Sequence, residues 1–472
     1  MVFDRWRVAL NLGLTAVGVF CPIFCPGITY ANAPFVIESA DPGPAFVGYY
    51  TSLALDSQGN PHISYYDDDN GNLKYASRSG TGVWSREVAD GSLDIVGFFT
   101  SLALDAQDNP HISYYDATHG RLMYAKKVGG IWSREVVDGG VANVGFDTSI
   151  RIDPQGVACI SYYDVTNKHL KYARRSGGVW GVETADASAN DVGQFTSLAF
   201  DSQGNACISC YDATAGHLMY ARKVGGSWST EVADASADNT GSYSSLELDG
   251  QDRPHISYHD ATNGDLKYAN KSGGIWHVET VDASTDDVGL DTSIGLDTGG
   301  SPHISYFDNT LGDWLYARKN TGSWELLVID NSLNNLGGYG SMAMDANGRP
   351  HFSSQNGTAV TLLYAVGPPE PVAAVEGRGL PASAALAIYP NPSRGEAVRI
   401  RLDRALAAGI SSVDIVDAAG RRLRRLPLDA GGAALWDRRD DGGRTVAIGI
   451  HFVRVVGRDG KDLPAQRLVI LR

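Results

Sequence analysis

The chain has 472 residues, 43% of them apolar and 20% charged, which describes an ordered protein long enough for two or three domains. Its net charge of −15 is unevenly placed: residues 34–367 hold 20 Lys and Arg against 41 Asp and Glu, a net of −21, while residues 387–472 hold 16 against 10, a net of +6. An acidic body repels nucleic-acid phosphates and anionic lipid, which excludes both as partners and leaves cations, neutral sugars and basic protein patches.

At the N-terminus, Arg5 and Arg7 precede an apolar run from Val8 to Phe20, and Ala31-Asn32-Ala33 has the small-x-small form of a cleavage site. This pattern predicts a signal peptide over residues 1–33. Pro22 and Pro26 end the run too early for a membrane span, and no later stretch is long and apolar enough to cross a bilayer. Cys21 and Cys25 would leave with the signal. Cys159, Cys207 and Cys210 fit no metal spacing and form no disulfide framework, so they are expected as buried free thiols.

An internal repeat dominates the body of the chain. The Ser of a T-S-[LI] signature recurs at Ser52, Ser101, Ser149, Ser197, Ser245, Ser293 and Ser341, spaced by 49 residues once and then by 48, the extra residue being Thr81. Within the second copy four short strands alternate with turn chemistry: TSLALD, HISYYD, LMYAKK and WSREVVD. Four-stranded units of this length without helical periodicity predict a seven-bladed β-propeller over residues 34–367.

The ends of the array supply the closure argument. Trp84, Trp132, Trp180, Trp228, Trp276 and Trp324 mark the fourth strand of six copies, but the seventh copy stops at Tyr364-Ala365. Residues Phe35 to Asp41 align with Trp84 to Asp90, so the N-terminal strand is expected to complete the last blade and remove two open sheet edges. With the first strand of each blade at the axis, the connections between blades share an upper face rich in Asp, including Asp260, Asp265, Asp282, Asp286 and Asp287. The lower face carries basic pairs such as Lys126-Lys127 and Arg174-Arg175.

Pro368, Pro369 and Pro371 open a Pro/Ala/Gly-rich linker over residues 368–386, and the alternating strands AVRIRL, SVDIVD, GIHFVRV and RLVILR predict a small Ig-like β-sandwich over residues 387–472. Here Tyr389-Pro390-Asn391-Pro392, the turn Asp417 to Arg421, Trp436-Asp437, Gly449-Ile450-His451-Phe452 and the terminal RLVILR resemble the type IX secretion C-terminal sorting domain. That domain is itself similar to the Ig-like domain of flagellar hook-capping proteins. The resemblance implies export across an outer membrane through the secretion machinery, with a secreted or cell-surface destination. Two positions depart from the pattern: Arg438 stands where it usually has Gly, and His451 where it usually has Tyr. The propeller repeats resemble those of sialidase-like and lectin propellers, although the S-x-D-x-G-x-x-W Asp-box is absent.

His62, His111, His255, His303 and His351 recur at one strand position, and a catalytic group repeated five times reads as scaffold. Asp56, Asp105, Asp153, Asp201, Asp249, Asp297 and Asp345 recur likewise and are expected to bond their own turns. No cofactor motif is legible; the Asp-rich upper loops leave Ca2+ open, without EF-hand spacing. Departures from symmetry say more. Tyr50, Phe99, Asp147, Phe195, Tyr243, Asp291 and Tyr339 stand just before the T-S signatures, where they would ring the upper axial mouth as a ligand site or pack between blades. Aromatic faces beside acceptors suit sugar rings or cationic groups. His259, His277 and Trp314 are each unique to their copy, and His259 is the residue to test as a general base.

The leading expectation is a monomeric, secreted or cell-surface, non-enzymatic protein whose propeller recognises a glycan or protein ligand. The alternative is a secreted polysaccharide lyase or glycoside hydrolase, which needs a unique acid/base pair. A third reading is a structural surface-layer component.

Overall fold

Every repeat folds into one antiparallel sheet whose strands follow chain order from the axis outward. In the computed structural model the described residues are 31–32, 35–43, 46–320, 322–330, 337–368, 386–389, 398–402, 412–417, 421–428, 433–447, 449–455 and 466–470. The expected signal and linker therefore fall largely outside the described residues, as do parts of the Tyr389–Pro392 and Asp417–Arg421 motifs. Contacts divide the chain into two units, residues 1–370 and 371–472.

In the first unit blade 1 comprises Val47–Leu55, Pro61–Asp67, Asn72–Arg78 and Trp84–Asp90, and the same four-strand order repeats through blade 6. Blade 7 takes three strands from Ser341–Met344, Pro350–Asn356 and Thr361–Val366, and its outer strand is Val36–Asp41, antiparallel to Thr361–Val366. The all-β, seven-bladed architecture and its closure by the N-terminal strand are thus observed. A two-residue strand, Ala31–Asn32, also pairs in parallel with Leu327 and Val328 of blade 6. No helix among the described residues is long and apolar enough to cross a membrane.

The apolar core lies between blades. Leu122 and Tyr124 of blade 2 pack with Ile150, Ile160 and Tyr162 of blade 3 in one buried cluster, and equivalent clusters recur around the ring. Neither face of one sheet is buried until its neighbours stack on it, which is why several near-identical repeats are needed. Glycine makes the stacking close: a Cβ on Gly193, at φ +118°, would lie 2.7 Å from the Cα of Leu170 in the preceding blade.

Polar side chains fix the angle between blades. Tyr114 of blade 2 donates to Asp90 Oδ2 of blade 1 at 2.8 Å, and Tyr258 to Asp234 at 2.8 Å. Further out, Trp132 and Lys127 both donate to Glu87, at 3.1 and 2.5 Å. At the closure the N-terminal strand supplies the same partners: Asp41 accepts from Tyr65 and Lys74, and Glu38 from Trp84 and Arg78. The junction of blades 6 and 7 differs. Leu327 stands where blades 1–5 carry this Glu, and Phe35 replaces the Trp, meeting Tyr316 and Phe352 edge-on at 5.9 and 5.7 Å.

In the second unit one sheet holds Leu386–Tyr389, Val398–Leu402 and Ala433–Trp436, and another holds Arg422–Pro427, Ser412–Asp417, Gly449–Val455 and Gln466–Ile470. Val398, Ile400, Val413, Ile415, Trp436 and Val453 form the buried core shared by the two sheets. Arg438 has φ +61°, in the left-handed region uncommon for a non-glycine residue, and buried His451 bonds the Ala447 carbonyl at 2.9 Å.

Candidate functional site

The inner strand of each complete blade contains a bulge. In blade 2 the pairing slips between Val96 and Phe98 and again before Ser101, leaving Phe99 unpaired between them. The same slip recurs in blades 1 and 3–6, at Tyr50, Asp147, Phe195, Tyr243 and Asp291. All seven of them adopt the left-handed region, with φ between 48° and 59°: Tyr50, Phe99, Asp147, Phe195, Tyr243, Asp291 and Tyr339. This region costs a non-glycine residue about 1–2 kcal/mol. Hydrogen bonds from the next blade hold it in place: Thr148 donates to the Phe99 carbonyl at 3.0 Å and Thr292 to the Tyr243 carbonyl at 2.8 Å.

The structure brings these seven residues together around one depression of about 210 Å³, with the Thr and Ser side chains of the T-S signatures below them. All are half-buried. The rings touch in two arcs. Tyr50 lies 4.8 Å from Tyr339 and 4.9 Å from Phe99, and Phe195 lies 4.6 Å from Tyr243, centroid to centroid. Asp147 and Asp291 separate the arcs, and each has a job that the sequence did not disclose. Asp147 Oδ2 accepts the Phe195 amide at 2.9 Å, and Asp291 Oδ2 accepts the Tyr339 amide at 2.8 Å. The rings therefore do pack on one another, and the carboxylates do serve the backbone, while part of each side chain still faces the depression.

His259 lies beside this rim, with its ring 6.2 Å from that of Tyr243. Its Nε2 contacts Asp287 Oδ1 at 3.1 Å and its Nδ1 contacts Ser242 Oγ at 3.3 Å. Tyr115, Tyr163 and Tyr211 make the equivalent bond to Asn143, Asp191 and Asn239, so His259 replaces one member of a repeated structural contact. Burial lowers its pKa against the opposing pull of Asp287, which favours a neutral ring. Trp314 is fully buried against Phe352, and His277 lies on the outer strand of blade 5.

The recurrent histidines form a lower-face network. His111 Nδ1 bonds the Tyr124 hydroxyl at 2.6 Å, and its Nε2 contacts Asp105 Oδ2 at 3.2 Å. Burial pushes His111 down to about 4, more than the Asp105 hydrogen bond restores. The recurrent aspartates bond their own turns: Asp105 Oδ1 accepts the Gln107 and Asn109 amides, both at 3.0 Å. Cys159 and Cys207 take the His position in blades 3 and 4 and, with Cys210, are free and buried. Among the described residues, Asp94, Asp116 and His119 form a group of three with metal-ligand spacing. Asp116 is already engaged by Arg121 Nε at 2.8 Å and His119 Nδ1 at 2.9 Å.

No protein-family profile matches the chain. No curated relative matches it either. Solved structures similar in fold include PorZ, a bacterial surface component of the type-IX secretion system of Porphyromonas gingivalis, at 11% identity over 90% of this chain and 74% of that one, TM-score 0.35. The NanB sialidase of Streptococcus pneumoniae is 13% identical over 74% of this chain and 71% of that one, TM-score 0.42. An ulvan lyase is 12% identical over 72% of this chain and 94% of that one, TM-score 0.46. At such identities the likeness is one of fold. It nevertheless corrects the expectation of a non-enzymatic protein: the similar structures are mainly enzymes, among them the sialidase, an arabinofuranosidase, an ulvan lyase and a further polysaccharide lyase.

Proposed function

We propose that the protein is an exported, carbohydrate-active propeller that takes a saccharide chain at its axial mouth. One observation carries the reading: seven equivalent backbone positions converge on one depression, and their side chains divide into two aromatic arcs separated by two carboxylates. The apolar face of a sugar ring stacks on an arc while its hydroxyls donate to the adjoining carboxylate. By analogy with base stacking, each ring contributes about 1–3 kcal/mol.

A second reading, cleavage of the saccharide at the same mouth, is favoured by the placement of Asp147 and Asp291. Two of seven positions carry carboxylates, and glycoside hydrolysis uses a pair of them, one as acid and the other as base or nucleophile. Each accepts a backbone amide of the next blade, which fixes the side chain at the rim of the depression. For export, the motifs shared with the sorting domain support recognition of residues 387–472 by the type IX machinery.

The test is a panel of neutral and uronate polysaccharides, read for binding by calorimetry and for cleavage by new reducing ends and unsaturated product. Tyr243→Ala should weaken binding at least tenfold. The Asp147→Asn, Asp291→Asn double variant should abolish cleavage while the propeller stays folded. A saccharide bound or cleaved equally well by the wild type and both variants would remove the mouth from the function.

A further inference from the structure

A cleft of about 520 Å³ opens between blades 7 and 1 on the face opposite the axial mouth. Its origin lies in the repeat. In blades 2, 3 and 4 a long cation on the third strand reaches the Asp of the first turn: Lys126 to Asp105 at 3.3 Å, Arg174 to Asp153 at 2.6 Å and Arg222 to Asp201 at 2.5 Å. Each cation stands directly across the ladder from the His or Cys of the second strand, as Lys126 does from His111. In blade 7 the residue opposite His351 is Val366, and in blade 1 the residue opposite His62 is Ser77. Both turn carboxylates, Asp345 and Asp56, border the cleft, and neither receives a third-strand cation.

The neighbouring arginines are engaged elsewhere. Arg78 holds Glu38 at 2.7 Å, and Arg349 Nε donates to the Gly367 carbonyl at 2.5 Å. His351 is 6% exposed, borders the cleft, and its Nε2 has no hydrogen-bond partner among the described residues, lying 3.6 Å from Asp345 Oδ2. Its Nδ1 is taken by the Tyr364 hydroxyl at 2.5 Å. Burial lowers the pKa of His351, with Asp345 pulling the other way, so the ring does not itself supply the missing positive charge. Val36, Val366 and Met344 line the approach with apolar surface.

We propose that this cleft binds a lysine-like alkylammonium group, whose charged head pairs with Asp345 as Lys126 pairs with Asp105 and whose stem lies along Val36, Val366 and Met344. The site goes beyond the saccharide reading and does not depend on it. The head donates to Asp345 and fills the space beside His351 Nε2. A hydrated ammonium on a flexible stem suits a carboxylate-ended cleft, and the apolar walls cover the methylenes.

The test uses the full chain with 13C-labelled histidine, and the probe is Nα-acetyl-lysine amide. The His351 ring signal is assigned by its loss in His351→Asn. Titration should shift that signal saturably, and glucosamine, which bears the ammonium without an alkyl stem, should bind at least fivefold more weakly. Val366→Lys, which restores the residue type of blade 2, should occupy the site internally and weaken the probe at least tenfold; Asp345→Asn should do the same by removing the acceptor. No saturable shift in the wild type, or equal shifts in the wild type and both variants, would overturn the proposal. Equal binding of glucosamine would overturn the part assigned to the stem.

Discussion

Replacing Asp41 by Ala tests whether the N-terminal strand closes the ring through its polar contacts. Asp41 is 4% exposed and accepts from Tyr65 at 2.7 Å and from Lys74 at 2.6 Å, with Gly43 N at 3.3 Å. Burial pushes its carboxyl up, but the Lys74 and Tyr65 hydrogen bonds outweigh this and hold it below the usual range. Removing it strands a fully buried phenol, at about 1–3 kcal/mol. It also leaves Lys74 with Asp67 alone, at 3.9 Å. Breaking such a partly buried pair from one side costs about 3–5 kcal/mol, and the two costs overlap, so about 4 kcal/mol is expected.

The chain contains its own control. Asp186 is the equivalent residue before blade 4, where Cys210 replaces the Tyr and Met219 the Lys, and it accepts the Ser188 amide at 2.8 Å. Asp186→Ala should cost about 1 kcal/mol. At about 2.1 cal/mol/K per residue over about 330 residues, the unfolding entropy converts these to Tm losses of about 6 °C and about 1–2 °C. Differential scanning calorimetry at neutral pH reads both. Adding Lys74→Met to Asp41→Ala should recover part of the loss, since Met219 already occupies that position beside Asp186. Equal losses for the two Asp variants would refute the reasoning, because closure would then owe nothing to Asp41 and its partners.

Acid should destabilise the propeller in two stages, read as Tm against pH. His62, His111, His255, His259 and His351 are held low by burial, so the unfolded chain binds their protons first and stability falls as pH drops below about 6.5 towards 4. Asp41, Asp201, Asp234 and Asp249 are held low by hydrogen bonds that outweigh burial. Their contribution is complete above about 4 and is lost as pH falls towards about 2, the value of Asp249. A flat Tm between pH 7 and 4 would contradict the first stage. Gly193→Ala should destabilise by about 1–3 kcal/mol, because its Cβ would meet Leu170 backbone at 2.7 Å and φ +118° is strained for alanine; an unchanged denaturation midpoint would refute the close approach.

Blade number, strand order and closure were all legible in the sequence. Each repeat spells the same strands and turns, and a sheet of this kind buries its faces only against copies of itself, so seven register marks and a displaced strand at Phe35 to Asp41 leave little freedom. The histidines and turn aspartates were readable as scaffold for the same reason, since repetition is the mark of structure. What the sequence left open depends on contacts some 48 residues apart. The left-handed backbone at the mouth, and the amide bonds that tie Asp147 to Phe195 and Asp291 to Tyr339, arise where one blade meets the next. His259 looked unique as a letter, yet it occupies a bond that Tyr115, Tyr163 and Tyr211 make elsewhere. The cleft between blades 7 and 1 is the converse case. Val366 and Ser77 are unremarkable as letters, and only their places opposite His351 and His62 reveal that two carboxylates bordering one cleft lack the cation that blades 2, 3 and 4 supply. Local pattern determines which elements form; which side chains meet is decided by ladder register within a blade and by stacking of one blade on the next, because partners lie 21 residues apart in the first case and 48 in the second.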